Sequence, residues 1–393
     1  MLKGIKLRLY PNAHQRVQLL QMFGNDRKVW NLMLGMANER YRNNPSAQFL
    51  NEYSMNYLLK RLKQEYLYLK QSDSTSFLVV THNLNQAFQM LFKHRGGYPH
   101  FRSRHQAKQA YTGRSVCQVI AKRRMRLPKL GEIRTSKTGQ LTDVKIKRYT
   151  VSFDATGRYY LALQVEVSDI KPWPKMGKQV GVDLGTSDLA ITSDGQKFSK
   201  FNHRWLDQQI QTWQRKFAKR KHQAEVNVRQ WNYNYKDIKM DLADYQNWQR
   251  ARKAKARYQQ RLANQRHDYL QKVTTQLVRD YDVICIEDLH VKSMLKNHRL
   301  ARAMANASWY EFRRMLTYKC QWYGKQLVVV DPRNTSRICH DCGHLQKQFK
   351  GLSTNEWLKI RKWTCEACGR QQDRDVNAGL NILNRGLTKL ARD

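Results

Sequence analysis

Val180-Gly181-Val182-Asp183-Leu184-Gly185-Thr186 is a short apolar run that ends on a carboxylate. The chain then returns through Leu189-Ala190-Ile191-Thr192 to Asp194-Gly195, so residues 178–193 read as strand, turn and strand. Such a hairpin is how a ribonuclease H-type sheet begins, with a metal-binding Asp on its first strand. An Asp before Leu-Gly is also an ordinary turn residue, so Asp183 alone decides nothing. Two further acids stand in comparable places. Glu287 ends the apolar run Val283-Ile284-Cys285-Ile286, and Asp375 opens a helix in Asp373-Arg374-Asp375-Val376-Asn377-Ala378. Each has an alternative reading: Asp288, beside Glu287, is a candidate helix N-cap, Asp375 could equally be the N-cap of the final helix, and Asp373 is its rival two residues away. Glu287 directly ends its run and is assigned inward. Carboxylates gathered from distant points of a chain are a normal way to hold Mg²⁺ for phosphodiester chemistry.

The chain around these acids is strongly basic. Lys plus Arg number 72 against 31 acids, a formal charge of +41. That excess repels itself in isolation and is best matched by a polyanionic partner, whereas a small acidic substrate needs only a local patch. The acids and the charge together point to a metal-dependent nuclease. The 393 residues, 41% of them hydrophobic, allow two or three domains with real cores. No stretch approaches ~20 apolar residues, which argues against a membrane partner. Met1-Leu2-Lys3-Gly4-Ile5-Lys6-Leu7-Arg8 lacks a signal-peptide apolar block, so a cytoplasmic protein is expected.

Ile5, Leu7 and Leu9 alternate with Lys6, Arg8 and Tyr10 as in a strand, and Pro11-Asn12 ends it with Asn12 placed to cap a helix. Residues 13–43, 51–70 and 75–94 carry helical spacing, with Gly24 and Pro45 expected as breaks. From 117 to 167 the period becomes two: Tyr159, Leu161, Leu163, Val165 and Val167 line one face after the turn Asp154-Ala155-Thr156-Gly157. This predicts a β-barrel or sandwich that the first strand joins, with the helices as an insertion. Lys171-Pro172-Trp173-Pro174-Lys175-Met176-Gly177 reads as a linker. Polar helices over 203–280, a strand at 281–286, a loop, a helix at 308–324, a strand at 326–330 and a helix near Val376 complete a mixed α/β domain. Basic residues beside aromatics suit a nucleic-acid groove. The candidates are Lys93, Arg95, Tyr98, Phe101, Arg102 and Arg104, together with Arg215, Lys219 and Arg220 in the polar helices.

Cys339 and Cys342 form one Cys-x2-Cys pair, Cys365 and Cys368 a second, and Gly343 and Gly369 follow them. Four thiolates in this spacing predict one structural Zn²⁺, with the glycines permitting tight turns; two redox dithiols are the alternative. His340 and His344 are competing ligands that the second pair makes unnecessary. Cys117, Cys285 and Cys320 stand alone. There is no Walker loop, no GxGxxG after a strand and no GxSxG elbow.

The chain resembles the TnpB family, transposon-encoded RNA-guided DNA nucleases related to type V CRISPR effectors. The resemblance runs over nearly its whole length, on Leu7-Arg8-Leu9-Tyr10-Pro11, Gly97-Tyr98-Pro99-His100-Phe101, Gly181-Val182-Asp183-Leu184-Gly185 and Ile286-Glu287-Asp288-Leu289. It continues on Ser308-Trp309-Tyr310-Glu311-Phe312, Asn334-Thr335-Ser336 and Asp373-Arg374-Asp375-Val376-Asn377-Ala378. It implies an α/β multidomain fold: a wedge barrel at 1–12 and 96–170, interrupted by a helical recognition domain at 13–95. A RuvC-like nuclease follows at 178–334 and 371–393 after the linker 171–177, with a zinc ribbon at 335–370. It implies that Asp183, Glu287 and Asp375 hold two Mg²⁺ ions, about 4 Å apart, for cleavage that leaves a 5′-phosphate. It further implies a guide RNA from the transposon end, a double-stranded DNA target beside a short motif, and a protein monomer within the ribonucleoprotein. Where a polar helix face is expected to read that motif, this chain has Leu78-Val79-Val80-Thr81. A nuclease-inactive, RNA-guided DNA-binding repressor is the alternative, although such proteins lose triad residues. A DNA-strand-transferring transposase, a DNA-binding transposase accessory protein and a plain zinc-ribbon DNA-binding protein are others.

Overall fold

Ile5, Leu7 and Leu9 all point inward from strand β1 (Leu2–Tyr10). They face Leu163, Leu161 and Tyr159 on β7 (Tyr159–Glu166), so three apolar pairs fix the register between strands some 150 residues apart in sequence. The computed structural model describes residues 1–46, 48–105, 109–141, 144–168, 170–185, 188–289, 308–349, 351–352 and 354–392. They form two units, Met1–Asp169 with Lys216–Arg257, and Ile170–Arg215 with Tyr258–Asp393.

In the first unit the period-two segments build one antiparallel sheet of seven strands. Its order is β2-β6-β7-β1-β5-β4-β3, with β2 Gln109–Gly113, β3 Gln118–Ala121, β4 Arg124–Leu127, β5 Gly131–Thr135 and β6 Lys145–Phe153. Strand β1 sits inside this sheet, although three helices, α1 (Ala13–Asn43), α2 (Glu52–Glu65) and α3 (Ser74–Phe92), separate it in sequence from the other strands. Asn12 caps α1 as expected: its side chain accepts from Gln15 N–H at 2.8 Å, and Gln15 Oε1 accepts in return from Asn12 N–H.

Two expectations are corrected here. Gly24 does not break α1, which runs through it. A mid-helix glycine costs only about 1 kcal/mol, and its neighbours Phe23, Asn25 and Asp26 are all buried. Residues 51–70 are not one helix. They divide at Tyr66, whose backbone is non-helical, into α2 and a 3₁₀ turn at Leu67–Gln71 that buries Leu69.

The second unit holds a five-stranded sheet in the order β10-β9-β8-β11-β12: Lys197–Ser199, Asp188–Thr192, Gln179–Asp183, Val283–Glu287 and Gln326–Val330. Strands β8, β9 and β10 pair antiparallel; β11 lies parallel to both β8 and β12. Parallel neighbours need crossovers. Helices α4 (Arg204–Asn234) and α5 (Gln246–Asp280) lie in the first crossover and α6 (Trp309–Tyr323) in the second. Residues 290–307, most of the loop expected after β11, are outside the described residues.

Side chains leave the two faces of this sheet alternately. Val180, Val182, Ile284 and Ile286 pack with Leu270, Val273 and Leu277 of α5 and with Phe312, Met315 and Leu316 of α6. Val283, Cys285, Val328 and Val330 meet Ile382, Leu383 and Leu387 of the terminal helix. That helix comes last in a short series: α7 (Thr354–Lys359), β13 (Lys362–Thr364), β14 (Gln371–Asp373) and α8 (Arg374–Leu390). Among the described residues, no helix is long and apolar enough to cross a membrane.

Candidate metal centre and nucleic-acid interface

Two glycines decide how close α8 comes to the sheet. A Cβ on Gly181 would lie 1.9 Å from the carbonyl oxygen of Gly379, and a Cβ on Gly379 would lie 2.9 Å from Ser193 N. Backbone therefore meets backbone here, which only glycine allows. Asp183 is two residues beyond Gly181, on the same face of β8, and Asp375 is one helical turn before Gly379. Glu287 follows from register. Ile286 pairs with Val182, so the next residue of β11 stands beside Asp183. The strand pair and the glycine contact thus bring the three predicted acids to one end of the sheet, on the face that α8 covers.

Each acid has a distinct environment. Burial, then the charges of Glu287 and Asp375, push the Asp183 carboxyl well above the ordinary carboxylate range; Arg374 and the Leu184 N–H offset part of this. Glu287 is 7% exposed. Burial raises its pKa, while the hydroxyl of Thr335, donating to Oε1 at 2.5 Å, pulls it back. Its rival Asp288 is instead ion-paired with Arg313. Asp375 is 6% exposed, and guanidinium groups occupy both its oxygens. Arg361 donates to Oδ2 at 2.8 Å, and Arg374 donates to Oδ1 at 2.8 and 2.5 Å. Its rival Asp373 is the N-cap of α8, accepting from the N–H groups of Asp375 and Val376.

Burial and the neighbouring charges of Glu287 and Asp375 disfavour the ionised form of Asp183, and a hard divalent cation would relieve that repulsion. A cation at Asp375 would compete with Arg361 and Arg374 for its oxygens.

The cysteine module is better defined. Among the described residues, the Sγ atoms of Cys339, Cys342, Cys365 and Cys368 are the group of metal-ligand atoms that all lie within 4.8 Å of one another. Cys339 and Cys368 are 3.8 Å apart, Cys342 and Cys365 3.6 Å. Tetrahedral Zn²⁺ with bonds of about 2.3 Å needs sulfurs about 3.8 Å apart, so the four can hold one zinc. Gly343 and Gly369 take the left-handed backbone expected of them, φ +74° and +70°. His340 turns to Asn377, and His344 pairs with Glu366.

The proposed nucleic-acid contacts are scattered in character. Lys93, Arg95, Tyr98, Phe101 and Arg104 are exposed, as are Arg215 and Lys219. Tyr98 donates to Asn38, and Arg104 pairs loosely with Asp241. Arg102 is half-buried, its guanidinium 3.6 Å above the Trp30 ring, and Arg220 donates to the Asn247 carbonyl. Sequence reasoning missed Thr335, Asn377, Asn381, Arg361 and Arg374. An Asn-x3-Asn pair on the inner face of an apolar helix was the one available signal.

Three family descriptions match: "Helix-turn-helix domain" over residues 1–45, "Probable transposase" over 162–298, and "Cas12f1-like, TNB domain" over 309–382. The first of these spans holds β1 and the single long helix α1. A protein of Streptomyces pristinaespiralis named "Putative RNA-guided DNA endonuclease" is 30% identical over 99% of this chain and 90% of its own. Escherichia coli K12 has "Putative RNA-guided DNA endonuclease InsQ", 30% identical over 99% of this chain and 94% of its own. Among solved structures, the protein of a Cas12f1–sgRNA–target DNA complex superposes with a TM-score of 0.54 at 13% identity, covering 98% of this chain and 99% of that one, and so shares the fold. With glycine-set acids, a four-cysteine module and relatives alike from end to end, the chain belongs to the TnpB family of transposon-encoded proteins.

Proposed function

We propose that this protein is an RNA-guided DNA endonuclease that binds a transposon-end guide RNA and cuts complementary double-stranded DNA beside a short motif. The convergence of Asp183, Glu287 and Asp375 carries the reading. Metal-dependent hydrolysis of a phosphodiester draws on such a cluster, and a module that only binds DNA has no need of one. The five-strand order, antiparallel then parallel, supports a RuvC-like nuclease at 178–334 and 371–393. The position of β1 inside the seven-strand sheet supports a wedge domain at 1–12 and 96–170 with the helices 13–95 as recognition domain. The four thiolates support a zinc ribbon at 335–370.

Asp183, Glu287 and Asp375 would hold Mg²⁺, which supplies an activated water and stabilises the departing 3′ oxygen. The protein's own part is geometric. Strands β8 and β11 fix two carboxylates side by side. The glycine contact fixes the third, and burial keeps bulk water from screening them. Sequence recognition falls to guide–target pairing, while the basic residues, including Lys93, Arg95, Arg215 and Lys219, hold phosphates of guide RNA and target DNA. The ribonucleoprotein carries one protein chain.

Incubating the purified complex with a guide-matched plasmid tests this. Asp183→Ala, Glu287→Ala and Asp375→Ala each abolish cutting and leave guide-dependent DNA binding nearly intact. Asp373→Ala weakens only a helix cap, by about 1 kcal/mol. Normal cutting by Asp375→Ala, with none by Asp373→Ala, sinks the assignment.

A further inference from the structure

The segment between Thr335 and His340 joins the cysteine module to Glu287, and two asparagines of α8 hold it. Asn381 donates to the carbonyls of Thr335 at 2.8 Å and Ile338 at 2.7 Å. Asn377 donates to the same Ile338 carbonyl at 2.8 Å and accepts from the His340 N–H at 3.0 Å. Both asparagines are buried, at 0% and 9% exposure. At one end of the clamped segment is Cys339, the first thiolate. At the other, Thr335, itself 4% exposed, gives its hydroxyl to Glu287 Oε1. Asn334, just before it, sits at φ +59°, a left-handed backbone that a non-glycine residue holds at a cost. The fold accepts that cost where Thr335 turns inward.

We propose that Thr335 is a positioning residue for Glu287, held in place by Asn381, so that the Glu287 carboxylate presents Oε2 to the cation while Oε1 is pinned. This rests on the triad reading above. Glu287 is buried beside other acids, and an unpinned carboxylate there is free to turn away from them. An arginine partner, such as Asp375 has, pins by neutralising, and the ion must then compete with it. A hydroxyl pins the oxygen and leaves the full charge for the cation. Because Asn377 and Asn381 stand on the same helix as Asp375, one rigid element sets Asp375 directly and Glu287 through Thr335. Outer partners of metal-binding carboxylates commonly change metal affinity 10- to 100-fold.

The test uses the guide-loaded full chain with Thr335→Val, which keeps the shape and removes the hydroxyl, and Thr335→Ser, which keeps the hydroxyl. Mn²⁺ binding is followed by electron paramagnetic resonance, alongside the Mg²⁺ needed for half-maximal cutting and the zinc content. The expectation is that Thr335→Val raises both half-saturation concentrations about 10- to 100-fold, with zinc and guide-dependent DNA binding unchanged, and that Thr335→Ser stays near the parent. Parent-like Mn²⁺ binding by Thr335→Val overturns the proposal, as does equal impairment in Thr335→Ser. If Thr335→Val loses zinc, Thr335→Ala repeats the comparison without a methyl against the carboxylate and is held to the same outcomes. Parent protein whose Mn²⁺ binding is unaffected by Asp183→Ala overturns the triad reading itself, and the proposal with it. A failure confined to Thr335 leaves that reading standing.

Discussion

Lys319 of α6 is 4% exposed, and its ammonium group is held by neutral acceptors: the Gln271 carbonyl at 2.8 Å and the hydroxyls of Thr274 and Thr275 at 2.7 Å. Burial pulls its pKa down to about 8. Below that pH the lysine is charged both folded and unfolded, and the folded state bears the cost of burying it. Between about 8 and the ordinary value the unfolded chain holds the extra proton, so stability contributed by this group rises with pH. The full difference is on the order of 3 kcal/mol. Lys319→Met is therefore expected to be more stable than the parent at pH 7, with the gap narrowing toward pH 10. Urea unfolding of both proteins across that range measures it, and a constant gap refutes it. The inward choice of Glu287 over Asp288 was legible in the same plain way, since only Glu287 ended the apolar run. Asn377 and Asn381 were less so: their four-residue spacing is visible, but the carbonyls they serve lie 39 to 46 residues away.

Helix α8 has to approach the sheet more closely than an ordinary helix does, and three glycines along one face of it and of β8 permit this. Besides Gly181 and Gly379, Gly386 faces Cys285, whose Sγ would be 2.2 Å from an added Cβ. An extra methyl in such a contact costs about 1–3 kcal/mol when neighbours can shift, and the opposing backbone at Gly181 cannot. Gly181→Ala is expected to push α8 outward, carrying Asp375 from the site, so that cutting falls more than stability does. Gly386→Ala meets a side chain instead, and Cys285→Ala should recover much of its loss. Thermal unfolding of the single and double variants reads the coupling; simple additivity of Gly386→Ala and Cys285→Ala would show that the two do not touch. Glycine periodicity of this kind is ambiguous in sequence. Gly24, in the same chain, looked like a helix break and proved to be an ordinary interior residue, its cost outweighed by the buried side chains around it. The cysteine module was legible because its chemistry is local, two short pairs each closed by a glycine.

At the scale of the whole chain, strand order was the least readable property. The alternation at 2–10 and 159–166 announces strands, but their pairing depends on which apolar faces meet, across three intervening helices. Charge was the most readable, since +41 is a property of composition alone. Its consequence is measurable. A chain that neutralises Z phosphates releases their counterions on binding, and log affinity falls against log salt with a slope of about −0.9Z on duplex DNA and about −0.7Z on single strands. If this excess serves a guide RNA and its target, 6 to 10 contacts are a modest demand. Affinity of the guide-loaded complex for target DNA, and of the protein for guide, should each fall about 10³- to 10⁵-fold between 50 and 200 mM salt. Lys219→Ala, at an exposed lysine, should lower the slope for one of the two ligands by about 1 and leave sequence preference unchanged. Filter binding across a salt series with matched and mismatched targets decides it. Slopes near zero would mean that the charge is solvated surface and that neither polyanion is what it was built to hold.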